Sequence, residues 1–443
     1  MNEQAPLDPS VREPAAALAE DLCAFLQEGC CNFFAVREIV KRLEEAGFRR
    51  LDEGCPWSLS PGERGFVERH GTAVLAFIAG TEPCAQAGFR LVGAHTDSPG
   101  FKVKPLPEKV TKGVVHLGVE VYGGPIQATW TDRDLGLCGR VVIEHDGGVQ
   151  VRLFRSGPIL CMPNVAIHQN REVNDKGLAL NPQTQLTPVL GTVAGGLPEK
   201  EAVRSLLAAD LAIAPESILD FDLFLYDPQP PSFAGANREY LRSGRFDDLG
   251  MCHAGLQALI AGAGTPAAAT RVAVFVDAEE VGSETPQGAR STLLPHTLER
   301  LVLALGGDRA DYLAALSRSV MVSADNAHAH HPGYGDKLDP EHAPVLNGGP
   351  VLKAHAGRKY ATDAASAALF IQACRRAGVP HQRFVNRSDV TSGGTIGSMT
   401  AAQLGIPVVD VGSPQWAMHS ARETFGAWDP WYMTGALGAF LLG

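Results

Sequence analysis

Helical and strand-like patterns of apolar residues alternate at the start of the chain. Apolar positions recur at helical spacing over residues 15–27 and 34–46, which predicts two helices. The runs 72–79 and 89–94 are almost continuously apolar, which predicts two buried strands. The second run leads directly into His95, so a polar segment begins where a predicted strand ends.

The pattern changes between residue 101 and about residue 225. Short β-like runs at 114–122, 139–145 and 149–154 are separated by turns that contain Gly and Asp, which is typical of a mainly β unit. After residue 231 the alternating pattern returns, with helices predicted at 249–261, 297–305, 364–377 and 433–442 and strands at 272–276, 320–323 and 408–411.

Such alternation implies a mostly parallel sheet flanked by helices. We therefore predict the α/β class, with one discontinuous domain formed by residues 1–100 and 232–443. A β-rich insertion of residues 101–231 interrupts that domain.

Composition and the cysteine pattern limit the expected partners and cellular compartment of the protein. The net charge of -11 over 443 residues argues against nucleic-acid binding, which normally requires a basic surface. No apolar run approaches the roughly 18 residues of a membrane span, and residues 1–6 lack the basic and apolar regions of a signal peptide. The nine cysteines form no Cys-x-x-Cys pair, which favours free thiols in a reducing compartment. We expect a cytoplasmic protein without a membrane or nucleic-acid partner.

Two polar segments follow predicted strands and could carry chemistry. His95 and Asp97 form a His-x-Asp pair, in which the carboxylate can fix the tautomer of a metal-binding His, or simply cap the next turn. Glu279 and Glu280 follow the run 272–276 and could be either a solvated loop end or a metal ligand beside a proton carrier.

Three further residues occupy similar positions. Asp247 begins a predicted helix, where an acid could cap the helix or bridge two metals. Asp325 follows the strand 320–323 and is a better ligand candidate than the nearby histidines 328, 330 and 331, while His419 follows the strand 408–411. The carboxyl ends of parallel strands share one sheet edge, so these side chains can converge. Two His and several carboxylates suit a pair of zinc-like ions.

Five segments, in this order, resemble the aspartyl aminopeptidase family of co-catalytic zinc metallopeptidases. They are His95-Thr96-Asp97-Ser98-Pro99-Gly100, Arg245-Phe246-Asp247, Asp277-Ala278-Glu279-Glu280-Val281-Gly282-Ser283-Glu284, Ser323-Ala324-Asp325-Asn326-Ala327-His328 and Met418-His419-Ser420. The resemblance runs from about Asn32 to the end of the chain. It implies an aminopeptidase with two divalent ions per subunit, zinc being expected and manganese or cobalt being alternatives.

The resemblance assigns a role to each of these residues. Asp247 would bridge the two metals, with His95 and Asp325 completing one site and Glu280 and His419 the other. Asp97 would orient the His of the first site, and Glu279 would be the general base that takes a proton from the attacking water. Asp248 stands where the family commonly has Asn, which should change the surroundings of the ligands rather than the ligands.

The same resemblance implies a substrate and an assembly. Substrates would be peptides with an acidic N-terminal residue, held by Lys353, with Tyr360 and the loop 391–395 near the substrate pocket. His168, in the insertion, would reach the active site of a neighbouring subunit. The insertion would then serve oligomerisation, and the assembly would be a tetrahedral homododecamer.

Three alternatives remain open on the sequence. One is a related two-metal aminopeptidase with neutral or broad specificity. Another is a non-catalytic assembly protein with the same fold. A third is a purely structural metal site, whose chelation would unfold the protein rather than only inactivate it.

Overall fold

The computed structural model describes residues 9–391 and 393–443. Within these residues the chain forms eleven α-helices: α1 (Pro9–Glu28), α2 (Asn32–Glu45), α3 (Cys84–Ala87), α4 (Val173–Lys176), α5 (Ala202–Leu211), α6 (Phe246–Ala261), α7 (Leu293–Ala304), α8 (Arg309–Leu316), α9 (Ala364–Ala377), α10 (Ile396–Leu404) and α11 (Asp429–Leu442). Among the described residues, none of these helices has the length and apolar character needed to cross a membrane.

The strands of the described residues fall into three sheets. They are β1 (Arg49–Arg50), β2 (Arg64–Arg69), β3 (Ala73–Ile78), β4 (Phe89–His95), β5 (Gly100–Thr111), β6 (Val114–Tyr122), β7 (Asp134–His145), β8 (Gly148–Arg155), β9 (Leu160–Cys161), β10 (Val189–Thr192), β11 (Ile218–Tyr226), β12 (Ser232–Ala234), β13 (Tyr240–Ser243), β14 (Thr270–Val276), β15 (Val320–Ala324), β16 (Ala327–His328), β17 (Val351–Ala354), β18 (Gln382–Val385), β19 (Val408–Gly412), β20 (Pro414–Trp416) and β21 (Glu423–Gly426).

The largest sheet has nine strands in the order β1-β2-β3-β14-β4-β15-β19-β17-β18. Its centre, β14-β4-β15-β19, is parallel. Apolar side chains of α1, α2, α6, α9 and α11 pack on one face, and those of α7, α8 and α10 pack on the other. The central strands are apolar on both sides because helices cover both faces, so their sequences read as continuous apolar runs. The predicted α/β arrangement is therefore confirmed.

The prediction of a mostly parallel sheet is only partly met, because the observed sheet is mixed. β2 pairs antiparallel with β3, β3 with β14, and β17 with β19. Only residues 70–72 connect β2 to β3. So short a connection allows only antiparallel neighbours, since a parallel pair needs a crossover of about a dozen residues or more.

The second sheet is built from residues 100–226 and closes on itself. Its seven strands follow the order β11-β5-β6-β10-β9-β7-β8, and a further pairing of β11 with β7 completes a barrel to which β8 adds along β7. Side chains such as Phe101, Leu137 and Leu223 fill the interior, and Val203 and Leu207 of α5 join the same apolar cluster. The division of the chain near residues 100 and 231 stays a prediction.

A small third sheet lies beside the largest one. Its strands follow the order β12-β13-β21-β20-β16, and β20 and β21 form a hairpin whose loop contains His419. β16 follows β15 after two residues and pairs with β20. This sheet therefore holds the His419 loop close to the carboxyl end of β15.

Candidate metal centre

The central parallel strands deliver polar side chains to one edge of the largest sheet. His95 is the last residue of β4 and pairs in register with Val276, the last residue of β14. Glu279 and Glu280 follow β14 in a short 3-10 turn, and Asp325 follows β15. The carboxyl ends of these strands meet because the strands are parallel neighbours, as the sequence pattern predicts.

Asp247 reaches this edge from the start of α6. Arg245, which precedes the helix, has a positive φ of 66°, and its side chain donates to the carbonyl of Gly29 at 2.9 Å. The two oxygens of Asp247 face different histidines: Oδ1 lies 3.5 Å from His95 Nε2, and Oδ2 lies 3.1 Å from His419 Nε2. One carboxylate thus lies between two imidazoles, each on its own side.

His419 comes from the β20–β21 hairpin and is fixed at three points. Its Nδ1 lies 3.0 Å from the carbonyl oxygen of Gly124, and its Nε2 lies 3.2 Å from Glu280 Oε1. Its backbone N–H donates to Glu423 Oε1 at 2.8 Å, and the other oxygen of that buried carboxylate accepts from the backbone N–H of Asp247 at 3.2 Å. Glu423 therefore holds two of the predicted ligands in place.

Asp97 connects His95 to the Glu279–Glu280 turn. Its Oδ1 lies 3.2 Å from His95 Nδ1 and accepts from the backbone N–H of Glu279 at 3.1 Å. Its Oδ2 accepts from the backbone N–H of Glu280 at 3.2 Å and from the hydroxyl of Tyr122 at 2.8 Å. A carboxylate on the far ring nitrogen fixes the tautomer and leaves Nε2 free to act as a ligand.

Ligand-type atoms within 4.8 Å of one another form three overlapping groups here. They are His95, Asp247, Asp248 and Asp325; His95, Glu279 and Glu280; and Asp247, Glu280 and His419. Asp247 belongs to the first and the third group, so it is the residue that could bridge two ions.

The cluster carries more acid than the surrounding protein neutralises. Burial raises the pKa of Glu279 to about 8, and nearby carboxylates add to this against the opposing effect of His95. Burial likewise raises the pKa of Asp248 and of Asp325. Among the residues that the structure describes, none donates a hydrogen bond to the buried Oδ1 atoms of Asp247 and Asp248. Nitrogen and carboxylate donors with unpartnered oxygens fit one or two divalent cations of the zinc type.

Lys353 lies at the border of this cluster and is almost completely buried, with a relative exposure of 2 %. Its Nζ lies 3.4 Å from Asp325 Oδ1, donates to the carbonyl of Asn326 at 3.1 Å, and lies 5.1 Å from the centre of the Tyr360 ring. Burial disfavours its charge, but Asp325 and other nearby acids raise the pKa of the ammonium above its ordinary value. Lys353 therefore keeps its positive charge although it is buried, and that charge lies beside the predicted ligand Asp325.

Tyr360 also lines a cavity of about 290 Å³ together with His328, His331 and Lys337. His330 is exposed, and the ligand-type groups found among the described residues contain none of these three histidines. Of the loop 391–395, Ser392 lies outside the described residues.

The structure brings most of the predicted site residues together, but not all. Those that meet at the sheet edge are His95, Asp97, Asp247, Glu279, Glu280, Asp325 and His419, with Lys353 and Tyr360 beside them. His168 lies exposed in the 3-10 turn Ile167–Gln169 of the barrel and outside these groups. Its role in a neighbouring subunit stays a prediction.

Glu423 and Tyr122 were not predicted from the sequence. The sequence offered a weak signal for Glu423, an acid four residues after a predicted ligand in the same hairpin. Tyr122 is the last residue of a predicted strand in the insertion. The residues around it in the sequence do not indicate that this end of the strand lies next to the edge of the largest sheet.

Comparison with known proteins gives one family. The sequence profile described as aminopeptidase I zinc metalloprotease (M18) matches residues 25–441. Proteins described as probable M18 family aminopeptidase 2 are 44% identical over 429 residues in Stutzerimonas stutzeri (96% of this chain and 97% of the relative) and 42% identical over 426 residues in Clostridium acetobutylicum (95% and 98%).

Solved structures agree with the sequence comparison. A chain in a cryo-EM structure of an Ape4–Nbr1 complex matches with a TM-score of 0.93 and 33% identity, over 99% of this chain and 88% of that one. A dodecamer of mApe1 from S. cerevisiae matches with a TM-score of 0.84 and 26% identity, over 96% and 97%. The resemblance seen in the sequence is therefore confirmed. The chain belongs to the M18 family of zinc metalloproteases and is an aminopeptidase.

Proposed function

We propose that this aminopeptidase removes Asp or Glu from the N-terminus of peptides and works with two divalent ions per subunit. Membership of a zinc metalloprotease family implies a divalent metal. The observation that carries the two-ion proposal is the placement of Asp247 between His95 and His419, at 3.5 Å and 3.1 Å from its two separate oxygens.

Five side chains would hold the ions: His95 and Asp325 on one side, Glu280 and His419 on the other, and Asp247 between them. When bound, a pair of divalent ions supplies the positive charge that makes water nucleophilic at neutral pH and that polarises the scissile carbonyl. Asp97 contacts the ring of His95, and Glu423 accepts hydrogen bonds from the backbone of Asp247 and His419, so these contacts would orient the donors toward the ions.

Glu279 is the proposed general base. It takes one proton from the attacking water while the hydroxyl oxygen bonds to the carbonyl carbon, and it then gives that proton to the amine nitrogen as the carbon–nitrogen bond breaks. Its support is positional: its carboxylate lies within 4.8 Å of ligand atoms of His95 and Glu280. Its backbone N–H is held by Asp97, so the base and the predicted ligand Glu280 share one rigid turn.

The proposed preference for acidic residues rests on Lys353. A buried ammonium at the border of the metal cluster offers a cation where the first side chain of a substrate would lie, and the neighbouring cavity lined by Tyr360 has room for such a side chain. A substrate carboxylate entering this region would gain a charge-assisted hydrogen bond that a neutral side chain cannot make.

A second specificity deserves equal testing, because Lys353 already lies 3.4 Å from Asp325. If its charge serves only to balance that carboxylate, the pocket offers an acidic substrate no free cation, and specificity would be neutral or broad.

Substitution of Lys353 by Met separates the two proposals. We expect kcat/KM for Asp- and Glu-linked chromogenic substrates to fall about 100-fold while the values for Ala- and Leu-linked substrates change little, as expected for the loss of a buried charge pair. The matched control is Lys337→Met, a lysine that lines the neighbouring cavity. An equal loss on all four substrates, accompanied by loss of metal, would assign Lys353 to Asp325 and favour the broad specificity.

We also propose that the chain works as a homododecamer, with the barrel as the contact region and His168 reaching a neighbouring active site. The support is the structure of an mApe1 dodecamer from S. cerevisiae. The match to its chain covers 96% of the present chain and 97% of the mApe1 chain. Light scattering on the purified enzyme should give twelve times the mass of the chain; a monomer that is fully active would exclude any role of His168 across subunits. The cytoplasmic location stays a prediction.

A further inference from the structure

Three buried thiols meet where the N-terminal helices pack against the barrel. Cys30 and Cys31 form the connection between α1 and α2, and Cys138 lies in β7. The three Sγ atoms lie within 4.8 Å of one another. Their relative exposures are 2 %, 8 % and 0 %, and the thiol of Cys138 donates to the carbonyl of Cys30 at 3.4 Å. We call these three residues the thiol cluster.

The surroundings of the thiol cluster are apolar but include two cations. Phe33, Phe34 and Tyr226 enclose it in one hydrophobic cluster. The guanidinium of Arg155 lies 3.3 Å from the Tyr226 hydroxyl, and Arg245 donates to the carbonyl of Gly29 next to Cys30. Burial raises the pKa of the Cys31 and Cys138 thiols well above the ordinary value. Burial also opposes the thiolate of Cys30, but hydrogen bonds from the other two sulfurs and the charges of both arginines bring its pKa well below the ordinary value.

We propose that the thiol cluster binds one soft, monovalent metal ion of the Cu(I) type through Cys30, Cys31 and Cys138. Its three sulfurs form a ligand group that shares no atom with the candidate metal centre, although Cys30 and Cys31 line the same cavity as Asp247 and His419. The proposal does not depend on the proposed function. Thiolates select soft ions, whereas the oxygen and nitrogen donors of the candidate metal centre select harder divalent ions.

The number of ligands favours Cu(I) over zinc. Structural zinc sites almost always have four protein ligands, and the ligand-type group found here among the described residues contains three. The charge of the bound site also favours a monovalent ion. Binding would displace the protons that burial keeps on Cys31 and Cys138, and three thiolates with one monovalent ion would leave two negative charges near Arg155 and Arg245.

The arrangement of the three sulfurs fits a bound ion better than a disulfide. A disulfide would join two sulfurs and exclude the third, whereas all three converge in the structure. A bound ion would instead tie the α1–α2 connection to β7, and because it would bind only the folded protein it would raise the unfolding temperature.

The test uses the zinc-loaded enzyme, so that the candidate metal centre is already filled, with all thiols reduced and oxygen excluded. Cu(I) is supplied as its coloured bicinchoninate complex, and loss of colour reports transfer to the protein. We expect the wild type to take up one equivalent and to unfold at a higher temperature afterwards. Cys138→Ser and Cys31→Ser should each bind at least 10-fold more weakly and show no rise in unfolding temperature.

Two control variants identify the site. Cys55→Ser removes an exposed thiol and Cys374→Ser removes a buried thiol of α9, and both should bind Cu(I) like the wild type. Equal uptake by Cys138→Ser and the wild type would overturn the proposal. So would absence of uptake by the wild type, or a thiol titration of the enzyme purified without reductant that finds two thiols of the cluster joined as a disulfide.

Discussion

Two clusters of ionisable residues, one around the partly exposed Asp21 and one at the buried sheet edge, differ in how the protein balances their charge. In the first, Asp21 Oδ2 contacts Arg42 at 2.7 Å, His253 at 2.7 Å and Gln257 at 2.8 Å, so one carboxylate faces three donors. In the candidate metal centre the ratio is reversed, because several carboxylates face two histidines and one lysine.

The pKa directions of Asp21 and Glu279 follow this difference, whereas that of Asp247 does not. Burial opposes the charge of Asp21, yet its hydrogen bonds and charges from His253 and Arg42 lower its pKa below the ordinary value. Burial and neighbouring acids instead raise the pKa of Glu279 to about 8.

Asp247 resembles Asp21 in this respect. Burial opposes the charge of Asp247, but hydrogen bonds from His419 and His95 lower its pKa below the ordinary value. The charge of Asp21 is balanced by protein groups, which suits a structural role. The excess of carboxylates at the sheet edge is not balanced in this way, which suits a cation-binding site.

Removal of divalent metal should have the largest effect. We expect dialysis against a chelator to lower kcat about 1000-fold or more, because the ions supply several kcal/mol of stabilisation to the reacting groups. The circular dichroism spectrum should stay unchanged, because the sheet edge is held by the backbone pairing of the central strands. Activity should return with zinc, manganese or cobalt. Unfolding on chelation would instead assign the metal a structural role.

Glu279→Gln should lower kcat by about 100- to 10,000-fold, which is the usual contribution of a general base. Metal content, measured by plasma mass spectrometry, should stay at the wild-type level, since Glu279 is not a proposed ligand. Glu284→Gln, an exposed acid on the same loop, is the matched control and should keep full activity. Loss of metal from the Glu279 variant would show that Glu279, like Glu280, takes part in metal binding and would contradict its separate role as the base.

Glu280→Gln should weaken one of the two metal sites by more than about 10-fold in affinity, because it replaces the charged carboxylate of a proposed ligand by a neutral amide, and loss of even a group that only positions a ligand costs about 10- to 100-fold. Competition with a fluorescent chelator gives the two affinities separately. Retention of both affinities at the wild-type level would remove Glu280 from the ligand set.

Asp21→Asn should lower stability without changing activity. Loss of a charged acceptor for Arg42 and His253 costs about 1 to 2 kcal/mol, less than for a fully buried pair because Asp21 is partly exposed. Urea unfolding measures this cost, and Asp210→Asn, an exposed acid of α5, is the control. A comparable fall in kcat at unchanged metal content would show instead that this cluster is coupled to the active site.

The sequence predicts which side chains meet at the sheet edge better than it predicts the directions of the strands. The continuous apolar runs before His95, Glu279 and Asp325 mark buried strands, and parallel neighbours must end at one edge, so convergence of these residues follows from the pattern. Strand direction depends on connections instead, and the short link at residues 70–72 makes β2 and β3 antiparallel without altering either apolar run.

The strand pattern does not predict residues that reach the site from other parts of the fold. Tyr122 lies on a barrel strand, and its hydroxyl meets Asp97 only because the insertion folds back to the sheet edge. Glu423 lies in a hairpin of the third sheet and acts through backbone N–H groups, which leave no trace in side-chain patterns. Long-range contacts of this kind require the tertiary structure.

An anomalous difference map from crystals of the zinc-loaded enzyme tests the proposed bridging role of Asp247. We expect two peaks about 3.5–4 Å apart on opposite sides of Asp247, one beside His95 and Asp325 and the other beside Glu280 and His419. A single peak at this edge, or a pair in which Asp247 contacts only one ion, would contradict this role.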